Sequence, residues 1–248
     1  MPTTATASAR SIDPRSAPRA MAFAMHGLEK QFEVVAANLA NAETAGHKRL
    51  VARGELFTQE LARAKAGDER GAVVRDFTQG DLIETDDPMD VALDGPGFFA
   101  VERNGTTQFT RVLHLHAEAD GTLLDEHGGR VLGDGGPLRL GGPLAKVEIE
   151  SDGTVKGDGS DAGRLRVVNF VEPQRLDDAP NGYWRSDERL EVTGAQGSQV
   201  RQGQREHSNV NALDELVNLI TIQRQYDAAQ RAMTVESDLR RRLNEGLR

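Results

Sequence analysis

The chain contains no cysteine, which excludes disulfides and thiolate metal sites. Aromatic residues make up only 4% of it, so the sequence predicts a core built from Val, Leu, Ile and Ala. No stretch approaches the roughly 20 consecutive apolar residues of a membrane-spanning helix, and no membrane insertion is expected. Positive charge is also short: 30 Lys and Arg against 39 Asp and Glu give a formal charge of −9. That balance works against nucleic-acid or acidic-membrane partners. Residues 1–19, rich in Ser, Thr, Ala, Pro and Arg, lack the apolar centre of a secretory signal peptide. They read as a disordered leader.

Catalytic and cofactor signals are missing too. No serine stands in a Gly-x-Ser-x-Gly setting, and Gly95-Pro96-Gly97 has no Lys-Ser/Thr pair to make a phosphate loop. The run Glu84-Thr85-Asp86-Asp87-Pro88-Met89-Asp90 lacks the spacing of a calcium loop and reads as a Pro-containing turn. His114 and His116 would share a strand face. Zinc, however, needs three or four convergent ligands, so ordinary strand histidines are expected. No enzyme activity, cofactor or metal site is expected.

What the sequence does contain is patterned at its two ends. Met21, Met25, Leu28, Phe32, Val35, Leu39 and Ala42 step by fours and threes, the spacing of a coiled-coil seam. That predicts a helix from about Ala20 to Glu43, closed by Thr44-Ala45-Gly46 with Gly46 left-handed. At the other end apolar residues recur at Leu213, Leu216, Val217, Leu219, Ile220, Ile222, Tyr226, Ala229, Met233, Leu239 and Leu243. No Pro or Gly interrupts before Gly246, Arg240 to Arg242 stand in the last turns, and Ser208, Asn209 and Asn211 are candidate N-caps. Each apolar stripe needs a partner, either the other helix or a neighbouring subunit. Asn38, Asn41, Asn209 and Asn211 read either as caps and turns or as buried polar groups setting the register between subunits.

Between the ends the period changes to two. Apolar runs at 89–93, 98–101, 108–111, 122–124, 131–132, 147–149 and 165–170 are separated by Asp-Gly, Asn-Gly and Gly-Gly turns, as in hairpin-rich β structure. The expected fold is α+β: amphipathic, coiled-coil-like terminal helices flanking a mainly antiparallel β domain. Its expected parts are a leader (1–19), a helical domain (20–45 with 206–248), a linker (46–76) and a β-rich domain (77–205). Glu55 to Lys65 could form a short helix, and 67–71 a polar loop.

Three blocks carry a resemblance. The run from Ala37 to Arg49 (ANLANAETAGHKR) resembles the opening signature of bacterial flagellar rod and hook proteins. Phe77 to Leu82 with Pro88 to Val101 is similar to that family's central block. Val200 to Gly203, Ser208 to Asn211, Glu215 to Ile220 and Gln223 to Asp227 resemble its C-terminal ending. The short interval from Leu50 to Asp76 and the run Val131 to Leu138 look most like proximal rod members, with distal rod or hook-type members as the alternative. His47 stands where the family usually has an aromatic, and Ala37 and Ala45 also depart from the pattern.

The resemblance implies a structural axial subunit of the flagellar basal body. It would polymerise with itself and other rod and hook subunits through its terminal helices, transmit torque, and leave the cell through the flagellar export apparatus without a cleaved signal peptide. Its location would be the rod, in the cell envelope. The expected assembly surface is Met21, Met25, Leu28, Phe32, Val35, Asn38, Leu39 and Asn41 with Asn209, Asn211, Leu213, Leu216, Val217, Ile220, Tyr226, Met233 and Leu243. A secreted β-rich binding module is the more distant reading.

Overall fold

A computed structural model describes residues 16–52, 73–142, 146–186, 192–194 and 197–246. Most of the leader, the short helix expected at 55–65 and the loop at 67–71 lie outside the described residues. The fold is α+β, with two long helices and mainly antiparallel sheets. The first helix, α1, runs Ser16–Ala40; the last, α2, runs Ala212–Gly246. Asp214 and Glu215 occupy the first turn of α2, where negative charge suits the helix dipole. Because the helix continues to Gly246, Arg240 to Arg242 fall before its last turn.

The β structure is built on the strand Phe98–Arg103, which lies inside a ten-stranded sheet between Thr106–Thr110 and Arg130–Gly133. Its side chains alternate between faces, and both faces are covered. Phe99 and Val101 enter a cluster with Val91, Leu113, Leu123 and Val155. Phe98 and Ala100 enter another with Phe109, Phe170 and Trp184. The first cluster is aliphatic in the main, as expected. The second corrects the aliphatic expectation, because the few aromatics are concentrated there. Phe98 meets Trp184 edge-on with centroids 5.4 Å apart, and Phe109 meets Phe170 at 4.9 Å. Such edge-to-face pairs add specificity to the burial of large rings.

The hairpin closing Phe98–Arg103 onto Thr106–Thr110 turns on Asn104 (φ 52°) and Gly105 (φ 73°). Two consecutive left-handed residues make the two-residue turn whose twist matches the strands. A second such turn, Asp158-Gly159, joins Thr154–Gly157 to Ser160–Arg164. The run 84–90 is a turn, with Asp86 left-handed and Asp87 accepting from the Met89 N–H.

Two compact units emerge: residues 38–51 with 74–212, and residues 1–37 and 52–73 with 213–248. This moves the expected boundaries. Residues 46–51, read as linker, belong to the β unit, as do 206–212, read as helical. The reason is a set of buried polar contacts in which these two segments meet.

Candidate functional site

Those contacts centre on Glu206, at the end of the strand Gln204–Glu206, which pairs with Leu82–Glu84. Its side chain is fully buried. Oε1 accepts from Lys48 Nζ at 2.5 Å and from the Gly80 N–H at 3.0 Å. Oε2 accepts from Arg111 Nε at 2.8 Å. Lys48, also fully buried, donates to the Thr78 carbonyl at 2.6 Å, and Arg111 donates to the Gly97 and Leu93 carbonyls. Burial pulls the Lys48 ammonium below its usual range, Glu206 opposes this, and the Arg111 charge adds to the lowering. A buried carboxylate held by two cations and an amide has its lone pairs well used, which burial of a charge requires.

Around this centre the ends of the chain are stitched to one another. Gly46, left-handed as expected (φ 69°), donates its N–H to the Glu206 carbonyl at 2.8 Å. Gly80 passes so near that a Cβ there would stand 2.1 Å from the His207 carbonyl oxygen, so only glycine fits. Asn209 Oδ1 accepts from the Arg49 N–H at 2.7 Å, and its Nδ2 donates to the Asp76 and Thr78 carbonyls at 2.9 and 3.0 Å. Asn38 brackets Leu50 in the same way, giving Nδ2–H to its carbonyl and taking its N–H. The hydrogen bonds that Asn38 and Asn209 make here are intrachain staples. Asn41 takes the Thr44 hydroxyl in a turn, and Asn211 directly precedes α2. Ser208 Oγ accepts from the Val210 N–H, so it too is spent before the helix begins.

His47 replaces an aromatic anchor at some cost. It is half-buried, its Nε2 has no hydrogen-bond partner, and burial with the Arg75 charge lowers its pKa to about 4. It lines a cavity of about 600 Å³ with Arg75, His114, Tyr183, Trp184 and Arg205. His114, a half-exposed strand histidine as expected, sits 2.8 Å from Asp90 Oδ1, which also accepts from Arg205 Nη2 at 2.7 Å. Burial pushes the Asp90 carboxyl up, but hydrogen bonds from His114, Thr85 and Arg205 outweigh it and leave the pKa lowered. Asp87, Asp90 and His114 are the one group among the described residues whose spacing would admit a metal ion. Within this group Asp90 is already paired with the Arg205 guanidinium at 2.7 Å.

The helical residues expected to form an assembly surface divide by exposure. On α2, Leu213, Leu216, Val217, Ile220 and Leu243 are exposed at 69, 44, 56, 44 and 67%. Asn211 is also exposed, while Tyr226 and Met233 are half-buried. On α1, Phe32 is 40% exposed; Met21, Met25, Leu28 and Leu39 are half-buried; Val35 and Asn38 are buried. The helices touch where the Tyr226 hydroxyl donates to Glu29 Oε1 at 3.3 Å. Among the described residues of α2, Ile222 is buried, while Leu213, Leu216, Val217, Ile220, Leu239 and Leu243 are exposed.

The comparisons with known proteins match the motifs that build this junction. Residues 201–245, which include Glu206, Asn209 and most of α2, match the family described as flagellar basal body rod FlgEFG protein C-terminal. Residues 92–157 match the flagellar hook protein FlgE/F/G D1 domain. The flagellar basal-body rod protein FlgF of Caulobacter vibrioides is 30% identical, over 89% of this chain and 93% of its own. The chain belongs to the flagellar basal-body rod protein family. The rod protein FlgG of Agrobacterium fabrum is 29% identical over 89% of this chain and 96% of its own. The hook-basal body complex protein FlhP of Bacillus subtilis is 26% identical over 85% and 91%. As a rod-family protein the chain is a structural subunit of the basal body and not an enzyme. In that setting the buried junction is what holds its β unit together.

Proposed function

We propose that this rod subunit is of the proximal type and polymerises through its terminal helices, with copies of itself and with other rod and hook subunits, to carry torque. The observation that carries this reading is the open apolar row on α2. Leu213, Leu216, Val217, Ile220, Leu239 and Leu243 are all more than 40% exposed on one long helix. They fall, with Val235, in two runs, 213–220 and 235–243; exposed apolar runs on one element mark an interaction site, and the three-four spacing within each suits packing against another helix. Phe32 offers a smaller apolar contribution from α1.

Interdigitated side chains resist sliding, because displacement loses contacts before it gains new ones. Many subunits engaged together multiply a modest pairwise energy. In a helical assembly the two contacting surfaces differ, so the α2 row of one subunit meets a different face of its neighbour. Delivery through the flagellar export apparatus to the cell envelope completes the reading.

The test is incorporation of Leu216 variants into basal bodies. Leu216→Met keeps the apolar surface and should assemble and support motility. Leu216→Asp would bury an unpaired charge in the contact, at a cost of several kcal/mol or more, and should fold yet remain unassembled. Motile cells carrying the Asp variant would refute the helical interface.

A further inference from the structure

We infer that Glu206 is a completion switch for the β unit: the fold cannot close until this carboxylate, supplied from near the C-terminus, neutralises Lys48 and Arg111. All of its charged partners come earlier in the chain. Lys48 lies 158 residues before Glu206 and Arg111 lies 95 before it, yet both side chains are buried on its carboxylate. The Gly80 N–H, which takes the same oxygen as Lys48, lies 126 residues before it. Without Glu206 the unit would hold two buried cations facing one vacated position, and an unpaired buried charge is strongly destabilising.

The backbone imposes the same order. Strand Gln199–Gln202 pairs with Asp90–Asp94, and Gln204–Glu206 pairs with Leu82–Glu84. Until 199–206 dock, one edge of each earlier strand has unsatisfied peptide groups. The Gly46 N–H and the Arg49 N–H likewise wait for the Glu206 carbonyl and for Asn209. Residues 46–50, 78–94 and 111 therefore gain their final partners in one event. By contrast, Thr154–Gly157 and Ser160–Arg164 pair locally with each other; only the outer edge of Val147–Ile149 also waits, for the Gln202 side chain.

Glu206 stands six residues before α2 begins at Ala212. A chain that is made or delivered N-terminus first holds its β unit open until nearly all of it has emerged. The apolar α2 row is the last element to emerge, after that unit has closed.

Pulse-labelling hydrogen exchange during refolding of the full-length chain tests the order. Residues 46–50, 82–94 and 199–206 should gain protection with one rate constant, after residues 154–164. Earlier protection of 46–94 than of 199–206 would overturn the inference. Two full-length variants test the charge. Glu206→Gln raises the formal charge of the Lys48, Arg111 and residue 206 trio by one unit. Lys48→Met with Glu206→Gln restores the original sum. Exchange in the single variant should rise at least about tenfold across 46–50, 78–94 and 199–206 together, and the double variant should recover much of that protection even if the single one fails to fold. Loss confined to 199–210, or a double variant no better than the single, would mean that no switch exists.

Discussion

The Asn209 side chain lies 2.7 Å from the Arg49 N–H through Oδ1 and 2.9 Å from the Asp76 carbonyl through Nδ2, joining three distant segments with one amide. Only Asn and Gln present an acceptor and two donors in one plane, and Gln is a methylene longer. Asn209→Asp keeps the acceptor but aims a charged oxygen at the Asp76 and Thr78 carbonyls. Asn209→Ala leaves those groups without their partner. These groups are only part-buried, so each lost hydrogen bond is worth about 0.5–1.5 kcal/mol, and denaturant unfolding of either variant should show a loss of roughly 1–3 kcal/mol.

His47 makes stability depend on pH. Its folded-state pKa of about 4 lies below the ordinary 6.5. As pH falls the unfolded chain takes the proton first, so this contribution is full above about 6.5 and lost between there and about 4. A half-buried group is partly screened, which limits the effect to the order of 1–2 kcal/mol. His47→Phe removes the partnerless Nε2. Thermal melts from pH 7 to pH 4.5 should show the variant losing less stability than the parent; parallel curves would refute the assignment.

Glycine at 80 is required by space rather than by backbone angle. A methyl there meets the His207 carbonyl oxygen at 2.1 Å, so Gly80→Ala must drive the 79–81 and 206–208 segments apart. It should cost several kcal/mol, within the range of severe single substitutions, with exchange protection lost at the Gly80 and His207 amides. Gly135→Ala is the control, because a Cβ there meets nothing within 4 Å. It should melt within a degree or two of the parent.

Limited proteolysis of the purified chain should cut within α2 well before the β unit, since the helix exposes both its polar face and much of its apolar row. The resistant product should end near Asn211 and retain residues 46–51 even after cleavage upstream of Val73, because Lys48 and Arg49 are held by Glu206 and Asn209. Release of 46–51 on native gels would contradict the stitched junction.

The sequence by itself determined what depends on neighbours in the chain. Spacings of three and four placed α1 and α2, alternation placed the strands at 90–94, 98–103 and 147–149, and Asn104-Gly105 marked its hairpin. Its ordered motifs were enough to identify the family. Phe98 and Phe99 were legible as a strand, but not as members of two different cores. That depends on which strands flank Phe98–Arg103 and what covers each face. The placement of Lys48 and Glu206 belongs to the tertiary structure alone. A lysine beside an arginine at 48–49 reads as surface charge, and a glutamate before a histidine at 206 reads as a turn. Only the pairing of strands far apart in the chain removes both from water and makes each the other's counter-charge. The same distance rule turned Asn38 and Asn209 into staples within the chain, while Leu213, Leu216, Leu239 and Leu243 of α2 stay exposed.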